Sequence, residues 1–217
     1  MYKTIIFDLD GTLLDTLDDL TSSTNYALQT FGFPARTRDE IREFVGHGIR
    51  NLIERAIGSA DYPQFEAVFE AFKTHYGAHC SDQTRPYDGV LELLAMLKKA
   101  GKRLAVLSNK ADFAVKTLAK EYFGELLEEA VGANEAAGIR KKPAPDALFA
   151  LMDKFGVSVE DTVYVGDSEV DVETANNAGV ACVSVTWGFR SKTVLSAAGA
   201  KTFADTPETL CALLMKE

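Results

Sequence analysis

The first short strand of this chain stops at two acidic residues, and this feature constrains the fold more than any other. Residues 4–7 are apolar or β-branched and predict a buried strand, which is followed by Asp8, Asp10 and Gly11. Open α/β folds bind their ligands at the carboxyl ends of strands. Side chains two positions apart on an extended chain point the same way, so both acids can serve one site. We therefore expect an α/β sheet with an acidic site at the end of its first strand.

Two carboxylates in one pocket repel each other unless a cation lies between them or one of them is protonated. Such a pair suits a Mg²⁺-assisted reaction in which one acid attacks the substrate and the other handles a proton. The alternative is an ordinary turn after a strand, since Asp and Gly are common turn residues. The rest of the sequence has to decide between a catalytic pair and a turn.

Composition and charge exclude several classes of function. The chain has 217 residues and a net charge of −9, which argues against binding to nucleic acid or to an anionic membrane surface. Its three cysteines are far apart and form no Cys-x-x-Cys, so neither a zinc site nor a disulfide framework is indicated.

A strand is predicted to begin by residue 4, leaving no room for a signal peptide, and no apolar run reaches membrane-spanning length. We expect a cytoplasmic protein, a monomer or a homodimer, whose partner is a small molecule.

The order of the predicted elements indicates two domains. Residues 16–84 show helical patterns and no convincing strand, whereas strands and helices alternate from residue 85 onwards. Alternation of this kind produces right-handed crossovers and a parallel sheet covered by helices on both faces. The prediction is a doubly wound α/β core formed by residues 1–15 and 85–217, interrupted by an inserted helical cap of residues 16–84.

Later strands of the predicted core also end in polar residues. Ser108 and Asn109 follow the strand through Leu107 and can bind phosphate oxygens, although Ser-Asn is also a common turn at the start of a helix. Lys142 precedes a helix predicted to begin at Ala144. A helix N-terminus carries partial positive charge, so a cation there is unfavourable unless a phosphate or carboxylates face it. The alternative is that this segment is a solvated basic loop.

The segment Gly166-Asp167-Ser168 gives the strongest of these later signals. A buried strand ends at Asp167, and Asp171 stands one helical turn later, within reach of the same edge. Carboxylate oxygens from separate strand ends are the hard ligands that Mg²⁺ requires, with waters and substrate oxygens completing its octahedron.

Together these segments resemble the four motifs of the haloacid-dehalogenase superfamily, in that family's order and at its usual separations. The motifs are Asp8-Leu9-Asp10-Gly11-Thr12, Ser108-Asn109, Lys142-Pro143 and Gly166-Asp167-Ser168-x-x-Asp171. The resemblance extends over essentially the whole chain, and the insert resembles the helical cap of that superfamily. Within it, the segments 44–50 and 52–56 and the pair Trp187-Gly188 resemble bacterial phosphoglycolate phosphatases.

The resemblance implies a mechanism for the core motifs. Asp8 is the expected nucleophile, which forms an aspartyl-phosphate, and Asp10 is the expected general acid and base. Mg²⁺ is expected to bind the Asp8 carboxylate, the Asp10 main-chain carbonyl and Asp167. The residues expected to bind phosphate are Ser108, Asn109 and Lys142, and Lys142 is also expected to be catalytic. Thr12 and Asp171 are expected to support the metal site.

The expected reaction is hydrolysis of a small phosphomonoester similar to phosphoglycolate. A phosphosugar mutase, or a phosphatase for nucleotides or pyrophosphate, would share this core. A phospho-acceptor signalling module is also doubly wound, but such modules are much shorter and lack a cap-sized insert. Dehalogenation does not need the second acid, so Asp10 counts against it. In the cap, the turn at His47 and Gly48 and the guanidinium of Arg50 could hold a small carboxylate, or Arg50 could simply be solvent-exposed.

Overall fold

A computed structural model describes residues 2–134 and 138–216 of the chain. The chain divides into two compact units, one formed by residues 1–14 with 86–217 and the other by residues 15–85. Among the described residues, no helix combines the length and the apolar character needed to span a membrane.

The secondary structure alternates between helix and strand outside residues 15–85. The strands are β1 (Thr4–Phe7), β2 (Leu14–Asp15), β3 (Arg85–Pro86), β4 (Arg103–Ala111), β5 (Glu129–Ala133), β6 (Thr162–Gly166), β7 (Ala181–Val185) and β8 (Phe203–Ala204). The helices are α1 (Leu17–Thr30), α2 (Arg38–Phe44), α3 (Ile49–Ile57), α4 (Phe65–His79), α5 (Val90–Lys99), α6 (Asp112–Tyr122), α7 (Asp146–Phe155), α8 (Glu169–Ala178), α9 (Lys192–Ala197) and α10 (Pro207–Met215). A short 3-10 turn covers Gly124–Leu126.

The first unit is built on a parallel sheet of six strands in the order β5-β4-β1-β6-β7-β8. Strand β1 lies at the centre of this sheet, with Phe7 opposite Val106 of β4 on one side and Val165 of β6 on the other. Its four residues are completely buried, because a central parallel strand is covered by helices on both faces. The doubly wound parallel sheet predicted from the sequence is thus confirmed.

Two elements near the sheet edge differ from the sequence prediction. Strand β4 continues beyond Ser108 to Ala111, with a shift of register against β5 after Leu107. Helix α7 begins at Asp146 and not at Ala144. Pro145 explains the later start, because steric clash with a proline disfavours the helical conformation for the residue before it. Lys142 therefore lies in the loop before α7.

The second unit consists of helices α1 to α4. Helix α2 begins with a capping box in which Thr37 and Glu40 satisfy each other's main-chain N–H groups. The buried carboxylate of Asp19 in α1 accepts hydrogen bonds from the main-chain N–H groups of Gln83 and Thr84, at 2.8–3.0 Å. These bonds tie the first helix of the unit to its last residues.

Candidate active site

Neighbouring parallel strands bring the main acidic residues together. Asp8 follows β1 and Asp167 follows β6, and the N–H of Asp8 donates to the carbonyl of Val165 at 2.8 Å. Because β1 and β6 pair in register, their carboxyl ends lie at the same edge of the sheet. One carboxylate oxygen from each of Asp8, Asp167 and Asp171 lies within 4.8 Å of the other two, and all three residues are buried.

Lys142 is the cation that contacts these acids. Its Nζ lies 2.9 Å from Asp8 Oδ1 and 2.7 Å from Asp171 Oδ1. It also donates to the hydroxyl of Tyr164 at 3.0 Å, and that hydroxyl donates in turn to the carbonyl of Leu107 at 2.7 Å. Only 3% of the Lys142 side chain is exposed, so its charge is compensated by these partners and not by water.

The main chain of Lys142 is held by Asn109. The Asn109 amide donates to the carbonyl of Lys142 at 2.9 Å and accepts from its N–H at 2.8 Å. The two ends of the side-chain amide thus fix the loop that carries the lysine. Phosphate binding by Asn109 stays a prediction, and the role that the structure gives its amide is to position Lys142.

Asp171 and Asp167 are both oriented by hydrogen bonds. Asp171 Oδ2 accepts from the N–H of Ser168 at 3.0 Å and from its hydroxyl at 2.6 Å, while Oδ1 faces Lys142. Asp167 accepts from the Thr12 hydroxyl at 3.0 Å and from the N–H of Phe189 at 2.7 Å. Both oxygens of Asp171 and both oxygens of Asp167 therefore accept from protein groups, which fixes the orientation of each carboxylate.

Three glycines make room for these carboxylates. A Cβ added to Gly11 or Gly188 would lie 2.3–2.4 Å from an oxygen of Asp167, and one added to Gly166 would lie 2.3 Å from the carboxyl carbon of Asp171. Gly11 also has a φ of +85°, which side-chain-bearing residues rarely adopt. The acids are packed against bare backbone on these sides.

Burial dominates the electrostatics of the site. It raises the pKa of Asp8 from 3.8 to about 6, against the opposing pull of Lys142. Burial, together with the negative charges of Asp171 and Asp8, also raises the pKa of Asp167 well above its usual value. For Lys142, burial disfavours the charge, but Asp171 and Asp8 outweigh it and raise the pKa well above the usual lysine value. The site thus concentrates negative charge that one lysine does not fully offset.

The donor set fits a hard divalent cation. Asp8, Asp167 and Asp171 offer only carboxylate oxygens, with neither sulfur nor imidazole among them. A divalent cation beside Asp8 and Asp167 would offset both the burial and the neighbouring negative charges that raise their pKa values.

The second acid of the first motif has a partner that the sequence analysis did not name. Lys110 Nζ lies 2.8 Å from Asp10 Oδ1 and 3.1 Å from Asp10 Oδ2, and only 1% of the lysine side chain is exposed. The N–H of Lys110 also donates to the Ser108 hydroxyl at 3.3 Å. The signal that could have identified Lys110 is a charged residue inside the buried strand β4, where an unpaired ammonium would be costly.

The loop after β7 was also missed as part of the site. The indole N–H of Trp187 donates to the carbonyl of Thr12 at 3.0 Å. This contact holds the loop after β1 against the loop after β7. The hydrogen bond from Phe189 to Asp167 holds the loop after β6 against that same loop.

The cap residues predicted to bind substrate lie in the unit of residues 15–85. His47 is exposed, and Gly48 precedes helix α3 with a φ of +88°. Arg50 binds both carboxylate oxygens of Glu66, at 2.7 and 2.9 Å, and its guanidinium lies over the ring of Phe69. Arg50 thus binds a carboxylate in the bidentate manner that the sequence suggested, but this carboxylate is the side chain of Glu66 and not a substrate. Substrate binding by Arg50 stays a prediction.

Comparison with known proteins identifies relatives over most of the chain. Residues 5–185 match the family described as haloacid dehalogenase-like hydrolase. Phosphoglycolate phosphatase of Agrobacterium fabrum is 36% identical over 190 residues, which are 85% of this chain and 80% of that protein. N-acetylmuramic acid 6-phosphate phosphatase of Pseudomonas aeruginosa is 32% identical over 189 residues, or 86% and 83% of the two chains.

Solved structures give the same result. A crystal structure from Lactobacillus delbrueckii subsp. bulgaricus, provisionally named a phosphoglycolate phosphatase, superposes with a TM-score of 0.93 at 37% identity, over 100% of this chain and 99% of that one. These matches confirm the superfamily resemblance and the class of phosphoric monoester hydrolase predicted from the four motifs.

Proposed function

The chain belongs to the haloacid dehalogenase-like hydrolase family, and we propose that it is a Mg²⁺-dependent phosphatase that hydrolyses a small phosphomonoester through an aspartyl-phosphate on Asp8. The observation that carries the proposal is the cluster of Asp8, Asp167 and Asp171 with Lys142 at the end of β1. Phosphoglycolate is the first candidate substrate because relatives carry that name.

In the first step, a carboxylate oxygen of Asp8 attacks the phosphorus atom, and the bond between phosphorus and the alcohol oxygen breaks. Asp10 gives a proton to that oxygen, which leaves as the alcohol. In the second step, Asp10 takes a proton from a water molecule whose oxygen attacks the phosphorus of the aspartyl-phosphate. The bond between phosphorus and the Asp8 oxygen breaks, inorganic phosphate leaves, and both carboxyl groups return to their initial states.

The remaining motif residues bind and orient the phosphoryl group. Lys142 contacts the proposed nucleophile directly, so a phosphoryl group on Asp8 lies beside its ammonium. The hydroxyl of Ser108 is buried at the same sheet edge, where it can donate to a phosphoryl oxygen. Asn109 holds Lys142 in place through the lysine main chain.

The Asp8 carboxylate, the Asp10 main-chain carbonyl and Asp167 are the groups that would hold Mg²⁺. When bound, Mg²⁺ neutralises charge on the transferring phosphoryl oxygens and allows neighbouring acids to stay ionised. Thr12 and Asp171 keep the surrounding groups in position through their hydrogen bonds.

We propose that the inserted helical unit, residues 15–85 in the structure, supplies part of the discrimination between leaving groups. His47, Gly48 and Arg50 remain its candidate contacts, with the condition that Arg50 must exchange Glu66 for the substrate. We also place the protein in the reducing cytoplasm, which is supported by the absence of a disulfide among its three cysteines, all of them in the described part of the chain.

The nucleophile is tested by Asp8→Asn, because an amide of nearly the same shape is a poor nucleophile. Release of inorganic phosphate from p-nitrophenyl phosphate with Mg²⁺ should fall by several orders of magnitude. Asp39→Asn is the matched control, since 81% of that side chain is exposed. Asp8→Asn activity close to that of the control would refute the covalent mechanism.

A panel of phosphorylated metabolites identifies the substrate. It should contain phosphoglycolate and N-acetylmuramic acid 6-phosphate, the substrates in the names of two relatives, with pyrophosphate, nucleoside monophosphates and hexose phosphates. Release of inorganic phosphate distinguishes a hydrolase from a mutase, which returns the phosphoryl group to a sugar.

A further inference from the structure

The hydroxyl of Tyr164 joins two parts of the site that bind the phosphoryl group in the proposed mechanism. Tyr164 lies in strand β6 and is completely buried. Its hydroxyl accepts a hydrogen bond from Lys142 Nζ at 3.0 Å and donates one to the carbonyl oxygen of Leu107 at 2.7 Å. A hydroxyl is costly to bury unless hydrogen-bond partners replace water. Here the hydroxyl is satisfied both as a donor and as an acceptor.

Packing alone does not explain a tyrosine at this position. The ring belongs to an apolar cluster that contains Ile6, Leu107 and Leu148. A phenylalanine would fill the same space without a polar atom that needs hydrogen bonds. Hydrogen bonds are also stronger in such surroundings than in water. The hydroxyl therefore contributes two strong contacts that the packing of the core does not require.

The ammonium of Lys142 is surrounded by two carboxylates and one neutral group. It donates to the Tyr164 hydroxyl and to Asp171 Oδ1, while Asp8 Oδ1 lies at 2.9 Å. A carboxylate in place of the hydroxyl would cancel more of the positive charge. An apolar group there would leave one of the three ammonium N–H donors without its acceptor. The neutral hydroxyl thus fixes the direction of the ammonium and leaves its charge for the phosphoryl group.

The second hydrogen bond of the hydroxyl holds the strand that carries Ser108. Leu107 is the residue before Ser108, and the register of β4 against β5 shifts after Leu107. At this irregular point the Tyr164 hydroxyl binds the main chain of β4. The Ser108 hydroxyl and the Lys142 ammonium are both proposed to contact the phosphoryl group. One side chain therefore fixes two phosphoryl-binding groups relative to each other.

We propose that Tyr164 is a positioning residue for phosphoryl transfer, which holds the Lys142 ammonium and the Ser108 end of β4 where they fit the phosphoryl group in the transition state. This inference rests on the proposed function and adds a residue outside the four motifs. When the phosphoryl group is on Asp8, the carboxyl group of Asp8 no longer carries a charge. Tyr164 and Asp171 then remain to hold the ammonium, so the contact between Tyr164 and Lys142 persists through the reaction.

Tyr164→Phe tests this role, because it removes the hydroxyl and keeps the ring. With p-nitrophenyl phosphate and Mg²⁺, kcat/KM should fall by about 10–100-fold, the effect of one hydrogen bond to a charged group. The fall should appear in kcat, with KM little changed, because the interaction matters most in the transition state. The inhibition constant of orthovanadate, which imitates the transferring phosphoryl group, should rise by the same factor. Tyr76→Phe is the matched control, since it removes a buried tyrosine hydroxyl from helix α4 and should leave these constants unchanged.

Other results overturn the proposal. An unchanged kcat/KM in Tyr164→Phe would mean that the hydroxyl serves stability alone, which urea denaturation would show as a lower midpoint. A rise in KM at constant kcat, or a fall in kcat without loss of vanadate affinity, would exclude a role in the transition state. If Tyr164→Phe does not fold, a crystal structure of the wild type with Mg²⁺ and vanadate decides, since loss of the hydrogen bond between Lys142 and Tyr164 in that complex refutes the proposal. Failure of the wild type to release phosphate from any member of the substrate panel would instead refute the proposed function.

Discussion

Removing the lysine at the centre of the acidic cluster should destabilise the protein strongly. Lys142 Nζ lies 2.9 Å from Asp8 Oδ1 and 2.7 Å from Asp171 Oδ1. With an effective dielectric constant of about 20, each contact is worth about 6 kcal/mol of gross attraction, which desolvation largely offsets. Breaking a buried pair by removing one partner typically costs about 3–5 kcal/mol. We expect Lys142→Met to lose about this much free energy of unfolding.

The assay is urea denaturation in EDTA at pH 7.5, with Lys3→Met as the matched control. Lys3 pairs with Asp161 at 2.8 Å, but its side chain is 70% exposed, so its removal should cost less than about 1 kcal/mol. Lys142→Met combined with Asp171→Asn should cost less than the sum of the single changes, because one unpaired charge is removed with its partner. Equal losses in Lys142→Met and Lys3→Met would refute the reasoning.

Asp10→Asn should lower turnover of an alkyl phosphate by roughly 10²–10⁴-fold, and wild-type kinetics would exclude the proposed proton transfers. With p-nitrophenyl phosphate, whose leaving group departs without a proton, trapped aspartyl-phosphate should appear in intact-protein mass spectra. EDTA should abolish turnover, and added Mg²⁺ should restore it. Ca²⁺ should support turnover poorly, because Ca²⁺ takes more ligands at longer distances. Full activity with Ca²⁺ would contradict the Mg²⁺ assignment. In EDTA, the folded state binds the Asp8 proton more tightly than the unfolded state, since the pKa is raised from 3.8 to about 6. Ionisation should therefore remove up to about 3 kcal/mol of stability as pH rises through this window. In denaturation curves measured from pH 4 to pH 7.5, Asp8→Asn should not show this loss of stability. The same pH profile in Asp8→Asn and in the wild type would contradict the assignment of the loss to Asp8.

The fold was predictable because its signals are local. The strand ending at Asp8 and the strand ending at Asp167 are each visible in a few consecutive residues, and the rules for parallel crossovers place both ends at one edge. The start of α7 was wrong by two residues, although the helix-breaking effect of Pro145 on Ala144 was present in the sequence.

The partners of individual side chains were much harder to predict. Lys110 and Asp10 are 100 positions apart, and their contact depends on the register of β1 against β4. Asn109 has the polar side chain expected of a phosphate ligand, but only the path of the loop before α7 shows that its amide meets the main chain of Lys142. The roles assigned to the motif residues remain predictions that the proposed variants test.

Because the carboxylates pack against the main chain of glycines, the site is difficult to transfer to another scaffold or to vary by mutagenesis. Gly11, Gly166 and Gly188 have no reactive atom, yet even an alanine at any of them would overlap a carboxylate. A library that varies every position around the site should therefore recover these glycines as consistently as the acids. A designer who grafts the acids onto another scaffold must copy the three glycines as well.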